Sequence, residues 1–154
     1  MDIRSPMDTF SSVDLLLIED NQEDAELTMR ALRKGPSMNQ VIRLRDGLEA
    51  LQYLYAEGPF EHRVPRMPKL ILLDLQMPRM NGIDALKRLK SDMRTQSIPV
   101  IILSASSNRA DAEECYAYGA SGYLVKPIEM NAFGAAIRQL ELAWAATNPA
   151  ANPS

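Results

Sequence analysis

The sequence predicts an α/β fold, a parallel sheet with helices on both faces. Two observations carry this. Five short apolar runs alternate with five segments of helical spacing. Three of the runs are almost unbroken in apolar residues, which suits strands buried on both sides. Strand–helix repeated five times implies right-handed crossovers and a sheet covered on two faces. The chain has 154 residues, the size of one domain, about 100–150 residues. A core of that size needs no disulfide or structural metal.

The elements follow in order. Residues 13–18 (VDLLLI) form the first strand, and Ala25, Met29 and Leu32 mark the first helix. Residues 41–44 (VIRL) form the second strand; Leu48, Leu51 and Tyr55 mark the second helix. Residues 70–73 (LILL) form the third strand; Ile83, Leu86, Leu89 and Met93 mark the third helix. Residues 98–103 (IPVIIL) lead to a fourth helix marked by Ala112, Cys115 and Tyr116 and closed by Gly119. Residues 122–125 (GYLV) precede the last helix, marked by Phe133, Ile137, Leu140 and Trp144. Residues 1–12 and 147–154 read as short polar tails.

Ligands of such sheets sit beyond the carboxyl ends of the strands. Those ends carry Glu19-Asp20, Asp74, Ser104 and Lys126. Three carboxylates on one rim repel each other unless a cation joins them. Magnesium suits the role, because it takes oxygen ligands and keeps open positions. Held by Asp20 and Asp74, it leaves room for a phosphoryl oxygen. Lys126 is a mobile point charge for a second oxygen, and Ser104 can donate to a third. Asp74 is then a carboxylate nucleophile able to form an acyl phosphate. Taken singly, each residue reads as a strand end, a turn or a helix cap, as Asp20 can be for the first helix. Their joint placement after four strands favours chemistry.

Composition narrows the alternatives. Lys+Arg total 17 and Asp+Glu total 20, giving a net charge of −3. Neither this balance nor any basic run suits nucleic acid. The single cysteine, Cys115, excludes an intramolecular disulfide and a cysteine zinc cluster. No apolar run reaches the ~20 residues of a membrane span, and no secretory leader is apparent, so a cytoplasmic protein is expected. His62, the only histidine, falls in a polar loop and reads as exposed. Cys115 reads as a small buried hydrophobe. The nine methionines read as packing, Met29 and Met93 in helical core stripes. Trp144 fits a core edge and a partner interface equally well.

The motifs EDN after the first strand, DLQMPRMNG from Asp74 to Gly82, Ser104-Ala105 and GASGYLVKP from Gly119 to Pro127 resemble the receiver domains of two-component response regulators. The resemblance spans residues 13–146. It implies a flavodoxin-like (βα)5 three-layer sandwich with strand order 2-1-3-4-5. It also implies that Asp74 accepts a phosphoryl group from a histidine kinase. Asp20 and Asp74 would bind magnesium directly, Glu19 through water, and Gln76 by its backbone carbonyl. Ser104 would be the switch hydroxyl and Tyr123 the switch aromatic, turning inward on phosphorylation. Lys126 would pair with the phosphoryl group, across a cis bond to Pro127. Gly82 is expected at positive φ, and Ala105 would leave room above the nucleophile. Ser104 replaces the commoner threonine, and Tyr118 stands where a small residue is usual.

Within the family, the long connection at residues 57–69, the phrases EDNQEDAEL and SDMRTQSIPV, and the AWAATN ending resemble single-domain regulators that partner phytochrome-type histidine kinases. Pairing through the last helices is common there. Only 12 residues precede position 13 and 8 follow position 146. The signal is therefore expected to leave through the receiver's own surface, to a downstream protein, a second copy or a phosphotransfer protein. Three rivals remain. A haloacid-dehalogenase-type phosphatase needs a second Asp where Gln76 stands. A dinucleotide binder needs a glycine-rich fingerprint that is missing. A never-phosphorylated scaffold would not need every charged site residue.

Overall fold

The computed structural model describes residues 15–34, 41–62, 67–77 and 80–147. Chain order is β1 (Leu15–Ile18), α1 (Gln22–Lys34), β2 (Val41–Leu44), α2 (Gly47–Tyr55), a 3-10 turn (Gly58–Phe60) and β3 (Leu70–Asp74). It continues with α3 (Gly82–Ser91), β4 (Val100–Ser104), α4 (Arg109–Ala117), β5 (Gly122–Val125) and α5 (Met130–Thr147). The tails at 1–12 and 148–154 lie outside the described residues, as do Val13, Asp14, Pro78 and Arg79; Thr147 ends α5.

The five strands are all parallel, in the order β2-β1-β3-β4-β5. This is the flavodoxin-like arrangement expected. The chain leaves β1 for one edge and returns to β3 on the other side, so the order reverses between β1 and β3. A crevice opens at the carboxyl ends of those two strands. Asp20 and Asp74 flank it.

The period-two pleat divides the core into two layers. Leu16, Ile18, Ile71, Leu73, Val100 and Ile102 face α2 and α3. Leu15, Leu17, Leu70, Leu72, Ile101 and Leu103 face Ala25 and Leu32 of α1 and Phe133 of α5. Every residue of β1, β3 and β4 is buried, which explains their unbroken apolar sequence. The edge strands β2 and β5 are only partly covered. No helix among the described residues is long and apolar enough to cross a membrane.

Several helix positions differ from the sequence expectation. Met93 is 86% exposed and lies beyond α3. The helix stops because Asp92 is extended, and its carboxylate accepts from the Arg94 backbone at 2.8 Å, turning the chain. In α2 the core face is Ala50, Leu51, Tyr53 and Leu54, while Leu48 points outward. In α4 only Cys115 is buried, and Tyr116 is exposed. That helix is short and polar, so one position suffices to hold it. The side chain of Trp144 lies outside the described residues.

Gly119 has φ +103°, and Ala120 N–H returns to the Cys115 carbonyl at 3.0 Å, closing α4. His62 is exposed and Cys115 is fully buried, with burial pushing the thiol pKa up. Both match the sequence reading.

Candidate functional site

Residues at the ends of β1, β3, β4 and β5 meet at the crevice. The Glu19 side chain is fully buried and Asp74 is 4% exposed, while Asp20 is open to solvent. One carboxylate oxygen from each of Glu19, Asp20 and Asp74 lies within 4.8 Å of the others. Lys126 reaches into this group from the end of β5. Its ammonium is 2.7 Å from Glu19 Oε1, 3.1 Å from Asp24 Oδ2 and 3.2 Å from Asp74 Oδ1. The Lys126–Pro127 peptide is cis, as expected.

The charges do not balance. Four carboxylates (Glu19, Asp20, Asp24, Asp74) and one ammonium leave 1 − 4 = −3 when all are ionised. Burial pushes the Glu19 carboxyl up to about 7, neighbouring Asp74 adds to the rise, and Lys126 pulls the other way. Burial disfavours the Lys126 charge, but Glu19, Asp24 and Asp74 outweigh it and hold its pKa above the ordinary lysine value.

The group suits a divalent cation. Glu19 Oε1 is buried with no aligned hydrogen bond, so its 2.7 Å approach to Lys126 is a bare ion pair. A hard cation with oxygen ligands would satisfy that oxygen and the surplus negative charge together.

This has a pH consequence. Glu19's folded pKa lies above its ordinary 4.5. Between those values the metal-free folded protein keeps a proton that the unfolded chain has released. Its contribution to stability is full below about pH 4.5 and is lost as pH rises through about 7. The loss is on the order of 3 kcal/mol. We expect the metal-free melting temperature to fall across that window and saturating magnesium to remove the slope. Glu19→Gln should lack the slope. A wild-type slope equal to that of Glu19→Gln contradicts this.

The remaining expected residues are near. Ser104 is buried at the end of β4, and its Oγ accepts from Ser106 N at 3.0 Å. Gln76 donates its backbone N–H to Asp74 Oδ1 at 3.3 Å while the residue itself is exposed. No second carboxylate stands there to serve as a phosphatase acid. Tyr123 is half-buried, and its hydroxyl already donates to the Ser106 carbonyl at 2.9 Å. The ring is thus tied to the β4–α4 connection in this state. Ala105 is exposed beside the site.

Two sequence expectations need correction. Asn21, not Asp20, caps α1: its Oδ1 accepts from Asp24 N at 2.9 Å. That frees the Asp20 carboxylate. Gly82 is not among the glycines with positive φ. Glycine is needed there because a Cβ would stand 2.6 Å from the Asp74 carbonyl oxygen and 2.6 Å from Leu75 Cα.

Three residues escaped the sequence reading. Asp24 supplies the third carboxylate around Lys126; its position, four residues after Asp20, was the available signal. Arg43 donates Nε to the Glu19 carbonyl at 3.0 Å and a terminal nitrogen to the Asp20 carbonyl at 3.1 Å. A lone cation in the VIRL strand was its signal. Ser106 links Ser104, Tyr123 and, through a 2.6 Å bond, Asp111 of α4. Nothing in the sequence marks it.

Comparison with known proteins agrees with this geometry. A family model described as the response regulator receiver domain matches residues 15–138. Response regulator Rcp1 of Synechocystis is 34% identical over 133 residues, covering 86% of this chain and 89% of Rcp1. A Mn(2+)-bound structure of Rcp1 superposes with a TM-score of 0.67 at 31% identity, covering 86% of this chain and 92% of that one. The bacteriophytochrome response regulator RtBRR superposes with a TM-score of 0.77 at 42% identity, covering 83% of this chain and 77% of that one. The phosphorylated cyanobacterial phytochrome response regulator RcpA gives 0.69 at 33% identity, covering 88% and 95%.

Proposed function

This chain belongs to the response regulator receiver family, and on that premise we propose that it is a stand-alone regulator phosphorylated on Asp74 by a histidine kinase. The observation that carries the reading is the meeting of Asp74 with Lys126 at 3.2 Å inside a carboxylate group fit for a cation. The similarity to phytochrome response regulators favours a phytochrome-type kinase as donor. The protein is a signalling domain of the cytoplasm, not an enzyme acting on a separate substrate.

Asp20, Asp74 and the Gln76 backbone carbonyl would hold magnesium, with Glu19 acting through water. The bound ion supplies the positive charge that lets two anions approach. Asp74 is the nucleophile. As its carboxylate oxygen bonds to phosphorus, the phosphorus–nitrogen bond of the donor phosphohistidine breaks. Lys126 leaves part of its carboxylate group to take a phosphoryl oxygen, and Ser104 donates to another. When Ser104 turns toward the phosphoryl group, its Oγ leaves Ser106 N, and the loop holding Tyr123 is released to a second arrangement. Only contacts that differ between the two states can shift the balance. The output then leaves by the surface of α4, β5 and α5, to a protein partner, a phosphotransfer protein or a second copy paired through the last helices.

The test is labelling by a small phosphodonor with and without magnesium. We expect stoichiometric, magnesium-dependent labelling. Its absence in the folded wild type overturns the reading. Ser104→Ala should keep labelling but lose most of the phosphorylation-dependent change at Tyr123, read by ring NMR signals. Equal changes in both proteins would remove Ser104 from the switch.

A further inference from the structure

The Glu19-Asp20 pair has to be held against its own repulsion, and Lys126 acts on only one side of it. On the other side stands Arg43. It lies on β2 opposite Leu17, and its guanidinium extends past the strand end to the two carbonyls of the acidic pair. We propose that Arg43 is a positioning residue for cation binding, an inference that rests on the site reading given above.

The reasoning follows the peptide planes. β1 ends at Ile18, and Glu19 N–H makes a last strand-like bond to the Leu44 carbonyl at 2.9 Å. Beyond it the chain must turn into α1, and the Glu19 and Asp20 carbonyls lose any strand partner. Arg43 takes both, at 3.0 and 3.1 Å. A trans peptide places its N–H opposite its C=O. Fixing the Asp20 carbonyl on Arg43 therefore aims the Asn21 N–H the other way, into the site. It meets Glu19 Oε2 there at 3.3 Å. That contact orients the carboxyl whose second oxygen, Oε1, faces Lys126 at 2.7 Å. Arg43 thus sets the rotation of the Glu19 carboxylate and the direction of Asp20 without touching the cation. The planar fork presents Nε and a terminal nitrogen to the two carbonyls in one rigid geometry, whereas a lysine ammonium would meet them from a single rotatable point on a flexible stem.

The test is Mn2+ affinity, measured by the free-ion EPR signal, for the full chain and for Arg43→Gln and Arg43→Lys. We expect roughly a tenfold loss of affinity for Arg43→Gln, as for other groups that orient metal ligands. Arg43→Lys keeps the stem and the charge, and we expect it to lose several-fold as well. Labelling by a small phosphodonor should recover to near the wild-type rate at saturating metal, since Asp74 and Lys126 are untouched. If Arg43→Gln does not fold, Arg43→Lys carries the test. Variants with lowered melting temperature but wild-type Mn2+ affinity overturn the proposal and leave Arg43 a strand-end clamp. A folded wild type that takes up no Mn2+ overturns the site reading itself and this inference with it.

Discussion

Asp74→Asn abolishes labelling by a small phosphodonor while leaving the fold intact: that is the largest effect expected on function. Asparagine matches the shape of the side chain but offers an amide, which is no nucleophile toward phosphorus. The substitution also removes one charge from a group carrying a net −3 when ionised. Asp74 helps raise the Glu19 pKa, so the Glu19 carboxyl should fall toward its ordinary value. Relief of repulsion opposes the lost 3.2 Å pair with Lys126, and the melting temperature should hold or rise. Divalent-cation affinity should fall by about tenfold or more with the loss of a charged ligand. Phosphate-affinity electrophoresis and calorimetry together check this. Stoichiometric labelling of the variant places the nucleophile elsewhere.

The largest stability effect is expected from Gly82→Ala, one methyl group. The new Cβ would stand 2.6 Å from the Asp74 carbonyl oxygen, 2.6 Å from Leu75 Cα and 2.9 Å from the Leu75 carbonyl oxygen. All three are backbone atoms at the buried end of β3, so no side chain can swing aside. Sliding α3 away would break the Gly82 N–H bond to Leu75 at 2.9 Å. We expect a loss of about 3 kcal/mol, the upper end for overpacking, measured by urea denaturation. Since the displaced atoms include the Asp74 backbone, labelling should slow as well. A loss under about 1 kcal/mol would mean that the β3–α3 connection yields more easily than its contacts imply.

Gly82 also shows where sequence reasoning stops. The residue was legible as special, but its reason was not. A turn demanding positive φ and a close backbone approach both select glycine, and only coordinates separate them. The strands were legible because burial on both faces leaves no polar positions, as in LLLI and VIIL. Helix faces were less so. Leu48 and Tyr116 were expected on the inward stripes beside Leu51 and Cys115, but of these four only Leu51 and Cys115 are buried. Helix α4 buries Cys115 alone, too few positions to fix a phase, and in α2 the buried stripe of Ala50, Leu51, Tyr53 and Leu54 leaves Leu48 to one side. The site was legible wherever a strand end placed a charged residue beside the crevice, as at Asp74 and Lys126. It was not where a side chain acts from another element. Arg43 reaches the site along its strand, and Asp24 arrives from the first turn of α1.

One contact bears on how the protein comes to exist. Asp24 and Lys126 are separated by 102 positions in the chain. Glu19, Asp20 and Asp24 leave the ribosome early, Arg43 and Asp74 follow, and all precede Lys126, whose ammonium meets the Glu19, Asp24 and Asp74 carboxylates. Until residue 126 emerges, β1 and β3 can pair, but the Glu19, Asp24 and Asp74 carboxylates lack the ammonium they share in the folded protein. Long-range closures of this kind are late events in folding, and domains fold as units during synthesis. The lysine is therefore the last of these charged groups to join the crevice. The carboxylate crevice is complete only when β5 has joined the sheet, so a fragment ending short of residue 126 carries Asp74 without the ammonium that meets it at 3.2 Å.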